Sequence, residues 1–160
     1  MKPNVRSTVS LIKKAHAGQR YGSDPYWTHP LAVAEKGKEL FTSKFTETAY
    51  IAALLHDVVE DTNVTPSDLQ RIGYNAQVID TVELVTKDES LSYEDNIRRI
   101  IQSGNKLAMM VKFADNFINY TGDKSGWGQK RVEKSQAKYM KSMQELGKAL
   151  GIRPEDHLPG

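Results

Sequence analysis

An all-α fold, one compact helical bundle, is what this sequence predicts, and three observations carry the prediction. Apolar residues recur three and four apart through most of the chain. Helix starts and stops punctuate those stretches, among them Thr65-Pro66-Ser67-Asp68, Gly18, Gly73 and Gly104. No segment alternates apolar and polar residues between hairpin turns. At 160 residues the chain suits a single domain spanning 1–160, with its core over about 5–150 and a frayed tail over 151–160.

Each element follows from its own pattern. Val5, Val9, Ile12 and Ala15 mark a first helix over 5–17, stopped by Gly18. Residues 19–28 are rich in turn formers and aromatics and read as a loop, of the kind that often carries function. Pro30 suits a first helical turn, so a second helix begins at His29-Pro30 and runs to about Leu40. The apolar run ending at Asp61 predicts a third helix over 47–61. The capping box at Thr65 opens a short helix that ends at Gly73. Val78, Val82 and Val85 mark a helix over 75–86. Tyr93, Ile97, Ile100 and Ile101 mark another, and Leu107 to Ile118 a third that runs to about Tyr120. A polar loop over 121–129 contains Trp127, and a long charged helix over 130–150 completes the set.

Composition narrows the function classes. The formal charge of +2 and the lack of a basic tail argue against a nucleic-acid partner. Without cysteine there is no disulfide or thiolate site, so any metal is held by His, carboxylate, amide or water. The N-terminal segment lacks the apolar stretch of a signal peptide, and no apolar run approaches the ~20 residues of a membrane span. The expected location is cytoplasmic, with no membrane partner and a small-molecule ligand.

Chemistry concentrates in Leu54-Leu55-His56-Asp57-Val58-Val59-Glu60-Asp61-Thr62. Four ionisable groups follow an apolar run. On a continuous helix His56 lies over Glu60 and Asp57 over Asp61, because residues four apart share a face. His56 and Asp57 can ligate one divalent ion, and the second pair can handle its bound water, whose pKa the ion lowers. The plainer reading of His56-Asp57 is a solvated helix tip; two further acids in register beside buried aliphatics weigh against it. A metal needs further protein ligands from elsewhere. His29 at a helix start is either a hydrogen-bonding structural residue or such a ligand. Asp115 follows Val-Lys-Phe-Ala, a run that should be buried, so its carboxylate needs a partner: Lys112 or a metal.

These residues together resemble a known family. A His, a His-Asp pair and a distant Asp, here His29, His56-Asp57 and Asp115, are the pattern of HD-domain metal-dependent phosphohydrolases. His16-Ala-Gly-Gln-Arg20, Tyr26 to Pro30, Leu54 to Thr62, Val82 to Thr86, and Lys112 to Asp115 with Asn119 resemble the hydrolase domain of RelA/SpoT-type alarmone enzymes. Gly126-Trp127 and Lys130-Arg131-Val132 are similar to the small free-standing members of animals. The resemblance implies an HD-domain helical fold holding one Mn²⁺ on His29, His56, Asp57 and Asp115. It implies removal of the 3′-pyrophosphate of guanosine tetra- or pentaphosphate. Glu60 and Asp61 would orient or deprotonate the attacking water, Arg20 would contact the substrate phosphates or base, and Asn119 the ribose region. Tyr21 and Asn116 stand where the family commonly has basic residues, and Ser135 where the small hydrolases carry an aromatic. The alternative within the family is another HD-type nucleotide phosphohydrolase, such as a nucleotidase or a 3′- or 2′-nucleotide phosphatase. A homo-oligomer is compatible with either reading. His16 and His157 are expected not to be ligands.

Overall fold

The computed structural model describes residues 2–159 of the chain. Helix α1 (Val5–Ala15) starts on a reciprocal capping box between Asn4 and Ser7, and its C-terminal turn carries Lys13 and Lys14. Those lysines complement the helix dipole. Residues 19–28 are not wholly loop. They hold a short antiparallel pair, β1 (Arg20–Tyr21) and β2 (Asp24–Pro25). Gly22 in the connecting turn takes φ +62°, a value that favours glycine in two-residue hairpins. This ribbon corrects the expectation of no strands: four paired residues are too few to leave an alternation pattern.

Helix α2 (Thr28–Phe41) follows directly. Its Gly37 faces the Phe45 ring so closely that a Cβ would run into it. The helix expected over 47–61 is interrupted. Helix α3 (Glu47–Leu55) ends at His56, and α4 (Val58–Asp61) is a single further turn. His56 explains the break. Its ring Nδ1 donates to the Ala53 carbonyl at 2.6 Å, and its backbone N–H also turns to Ala53. A side chain that takes up a nearby carbonyl competes with the helical ladder. Asp57 then sits at φ −104°, ψ 0°.

The remaining elements are α5 (Pro66–Ile72), α6 (Ala76–Val85), α7 (Tyr93–Gln102), α8 (Lys106–Thr121) and α9 (Gln129–Leu150). Helices α3 and α8 are the central ones. From Ile51 to Leu55 every residue of α3 is buried, and α8 buries Ala108 to Val111 and Phe113 to Phe117. A helix that is apolar most of the way round must be surrounded, and α1, α2, α6 and α9 pack on this pair. Burial of this core is the main stabilising term. The C-terminal tail is not frayed. Pro154 is buried, residues Pro154–Asp156 form a short 3₁₀ turn, and Gln144 of α9 donates to Glu155 at 3.0 Å. Gly160 lies outside the described residues. Among the described residues no helix is long and apolar enough to cross a membrane.

Candidate active site

Three elements bring the site together. The start of α2 presents His29, the α3–α4 junction presents His56 and Asp57, and the middle of α8 presents Asp115. His29 and His56 are 4% and 3% exposed, and Asp115 is 6% exposed. One donor atom each from His29, His56 and Asp57 fits within a sphere in which all pairs lie within 4.8 Å. Asp115 Oδ1 stands 3.1 Å from His29 Nε2 and 3.4 Å from His56 Nε2, and Asp57 Oδ2 is 3.0 Å from His56 Nε2.

His56 is the informative member. Because Nδ1 donates to a carbonyl, it carries a proton, and Nε2 is the atom turned to the cluster. That Nε2 is buried with no well-aligned hydrogen-bond partner, although two carboxylate oxygens lie close to it. Donors gathered round a common point are what a divalent ion needs. A backbone carbonyl fixing the tautomer of a ligating imidazole is the usual supporting contact. Two imidazoles and two carboxylates suit a first-row divalent ion. The residues therefore fit the metal that the sequence implies. Burial opposes charge on His56, but Asp57 and Asp115 outweigh it and raise its pKa well above the ordinary value. A cation arriving here would take over the proton's role.

Asp115 meets Lys112, one of the partners its sequence position called for, and also faces the histidines. It accepts from Lys112 at 3.3 Å through Oδ2 while Oδ1 faces the histidines and Asn119. Burial would raise its pKa, yet Lys112, His29 and His56 hold it well below the usual carboxylate range. Asn119 uses both ends of its amide: Nδ2 donates to Asp115 at 3.2 Å, and Oδ1 accepts from the Tyr21 hydroxyl at 2.8 Å. Tyr21 stacks on His29 with ring centres 4.3 Å apart, and burial followed by the Asp115 charge pushes its phenol up to about 12.

His29, Asp57 and Asp115 line a cavity of about 350 Å³ that Glu60, Asp61, Lys87, Tyr93 and Tyr139 also line. Burial and the Asp57 charge raise the carboxyl pKa of both Glu60 and Asp61. The break at His56 changes their partners. Glu60 does not pair with His56 but accepts the Lys87 backbone N–H at 3.2 Å. Asp57 and Asp61 remain one turn apart and are bridged by Tyr26, whose hydroxyl donates to Asp57 Oδ2 at 2.6 Å and lies 3.4 Å from Asp61 Oδ2. Sequence reasoning missed this role of Tyr26, although its place three residues before His29 puts it beside the same helix start.

Arg20 is not brought to the cavity. It is exposed and its guanidinium donates to the Ser23 carbonyl at 3.1 Å. His16 is buried and bonds to Gln19, and His157 lies far off in the tail, so neither joins the donor cluster. Asn116 is fully buried; its amide donates to Ser142 and accepts from Tyr93.

Comparison with known proteins agrees with this geometry. The HD domain family profile matches residues 26–141. The bifunctional (p)ppGpp synthase/hydrolase SpoT of Escherichia coli is 33% identical over 125 residues, which is 72% of this chain but only 17% of that protein. The chain thus spans about a sixth of that relative. A guanosine-3′,5′-bis(diphosphate) 3′-pyrophosphohydrolase, MESH1 of Danio rerio, is 32% identical over 137 residues, covering 79% of this chain and 74% of that one. A solved structure of a metazoan SpoT ortholog, described as hydrolysing ppGpp, superposes with a TM-score of 0.69 over 95% of this chain and 99% of the other, at 24% identity. With the profile covering most of its length and the His, His-Asp and Asp residues gathered as the pattern requires, this chain belongs to the HD-domain family.

Proposed function

We propose that this chain is a metal-dependent hydrolase that removes the 3′-pyrophosphate of guanosine tetra- or pentaphosphate, with Mn²⁺ as its ion. The observation that carries the reading is the convergence of His29, His56, Asp57 and Asp115 beside a cavity that Glu60 and Asp61 also line. The names of the MESH1 relatives support the substrate, because 74% of the Danio rerio protein is matched.

His29, His56, Asp57 and Asp115 would hold the ion. When bound, it would supply a polarised phosphoryl oxygen and a water of lowered pKa. The chain's own residues do the rest. Glu60 and Asp61, with raised carboxyl pKa values, take the proton of the attacking water better than ordinary carboxylates would. Tyr26 keeps Asp57 and Asp61 in fixed relation. Burial works against charge on Lys112, yet Asp115 keeps it protonated, and it lines the cavity as a cation for the diphosphate group under attack, while the ribose 3′-oxygen leaves and takes up a proton.

A nucleotide panel tests this. Metal-loaded protein should release pyrophosphate from guanosine 3′,5′-bis(diphosphate) at least tenfold faster than it releases phosphate from deoxynucleoside monophosphates or 2′-phosphorylated nucleotides. A preference for either of the latter would replace the reading with the other HD-type activity.

A further inference from the structure

Position 116 adjoins the donor cluster yet carries no charge. Asn116 directly follows Asp115 on α8 and is fully buried. Neutral partners from two flanking helices use both ends of its amide. Oδ1 accepts the hydroxyl of Tyr93, the first residue of α7, and Nδ2 donates to Ser142 of α9 at 2.6 Å. Ser142 is buried as well. Burial pushes the Tyr93 phenol up to about 12, so it stays a donor at neutral pH. A buried polar network whose members are satisfied fixes geometry.

This relay ends at the cavity, which the Tyr93 ring lines. Lys112 lies four residues before Asn116 and therefore on the same face of α8. The Tyr93 hydroxyl meets position 116 while its ring covers position 112. The Lys112 ammonium is 5.5 Å from the ring centre and 3.3 Å from Asp115 Oδ2. A lysine ammonium ends a flexible four-carbon stem, and one carboxylate leaves that stem room to swing. An aromatic face within about 6 Å adds a second attraction, effective only while the ring is held. Lys138 of α9 stands 4.9 Å from the same ring centre, so two ammonium groups depend on where the ring sits.

We infer that Tyr93, latched by Asn116 and Ser142, is the positioning residue for Lys112 and keeps its ammonium on Asp115 at the cavity wall. Without the latch the ring is free to tilt, Lys112 swings, and Asp115 Oδ2 loses its partner.

Proton–nitrogen NMR of the lysine ammonium groups in the metal-free protein tests this. The parent should show a slowly exchanging signal that Lys112→Met removes. Tyr93→Phe keeps the ring, deletes the latch and acts from α7, away from the donors. It should speed water exchange of that signal about fivefold, since a shift in population cannot exceed the free energy of the one neutral hydrogen bond removed. Tyr93→Leu, which removes the ring, should broaden the signal away. A signal unchanged in both variants overturns the inference. Melting temperature separates positioning from support. Tyr93→Phe strands the Asn116 oxygen, whereas Tyr93→Phe/Asn116→Leu makes both partners apolar and should recover the stability, with exchange still fast. Exchange that slows again as stability recovers would reduce the relay to a structural tie and overturn the inference.

A second readout rests on the functional reading above. Inorganic pyrophosphate should bind the Mn²⁺-loaded Tyr93→Phe variant about fivefold more weakly than the parent. Added to Lys112→Met, Tyr93→Phe should weaken binding no further, because residues acting through one another are not additive. Additive weakening overturns the inference. A parent that binds no pyrophosphate contradicts the functional reading instead, and the ammonium signal still decides the inference.

Discussion

The donor cluster and the cavity rim are built by different rules. Of the cluster, His29, His56 and Asp115 are buried and Asp57 is half-buried, and each is held by at least one short contact within the protein. The rim includes Tyr21 of the β1–β2 ribbon, Lys87 from the loop after α6 and Tyr139 of α9. A buried polar group must be satisfied or it costs stability, so the cluster has little freedom to vary. An exposed lysine or arginine carries no such constraint. On the proposed reading, reaction type belongs to the rigid floor and substrate choice to the rim.

The largest effect should come from breaking the floor. Asp57→Ala removes a proposed ligand and the acceptor of the Tyr26 hydroxyl. Metal content, read by atomic absorption, should fall below one tenth of an ion per chain, with activity lost in parallel. Full activity at one ion per chain would show that the cluster is not the metal site. Next in size is Glu60→Gln. It should keep the full metal complement and lower single-turnover kcat by about 10²–10⁴-fold, with a small change in KM. A normal single-turnover rate would reduce Glu60 to a tether for the 87 loop.

Tyr26→Phe retains the ring contacts with His16 and His29 but deletes the hydroxyl bridge. Loss of such a supporting contact typically costs 10–100-fold in metal affinity or activity, so metal titration should report a weaker site by about that factor. Unchanged affinity would mean that Asp57 is oriented by His56 alone. At the rim, Arg20→Ala should change kcat/KM by less than about threefold, because an exposed guanidinium bonded to Ser23 has little to lose. A hundredfold loss would mean that the ribbon swings over the substrate when it binds.

The smallest effect is on stability. Burial and neighbouring acids raise the folded-state pKa of Glu60 above its unfolded value. Its favourable contribution is present below the ordinary carboxylate range and is lost as pH rises through the folded value. Glu60→Gln should therefore raise the melting temperature of the metal-free protein at pH 7 and not at pH 4. Glu60 is exposed, so screening keeps the gain to about 0.5 kcal/mol or less, roughly 1–2 °C. A lowered melting temperature at pH 7 would show that its bond to Lys87 matters more than charge crowding.

The same division separates what could be read from the sequence from what could not. Helix positions follow from the apolar spacing of Val78-Val82-Val85 or Ile97-Ile100-Ile101, since burial imposes that spacing. His56-Asp57 is adjacent in sequence and legible from its setting, whereas His29 and Asp115, 86 residues apart, needed the family resemblance to be joined. The helix break was hidden, because it depends on where the His56 ring turns rather than on periodicity. Tyr21 and Asn119 meet across 98 residues, and no local pattern signals such a pair. Lys138 and Tyr139 belong to a helix that reads as a charged surface. Only its packing beside α7 and α8 brings Tyr139 to the cavity. Chain ends fray by default, whereas Pro154 is buried and Gln144 holds Glu155, contacts that no local pattern announces.

The most direct test of the central claim is phosphorus NMR of guanosine 3′,5′-bis(diphosphate) incubated with the Mn²⁺-loaded protein, beside a chelator-treated sample and the Asp57→Ala variant. Pyrophosphate and guanosine 5′-diphosphate are expected in equal amounts from the loaded parent alone, with neither product in the other two. Orthophosphate as the product, or pyrophosphate release that survives chelation and the loss of Asp57, would contradict it.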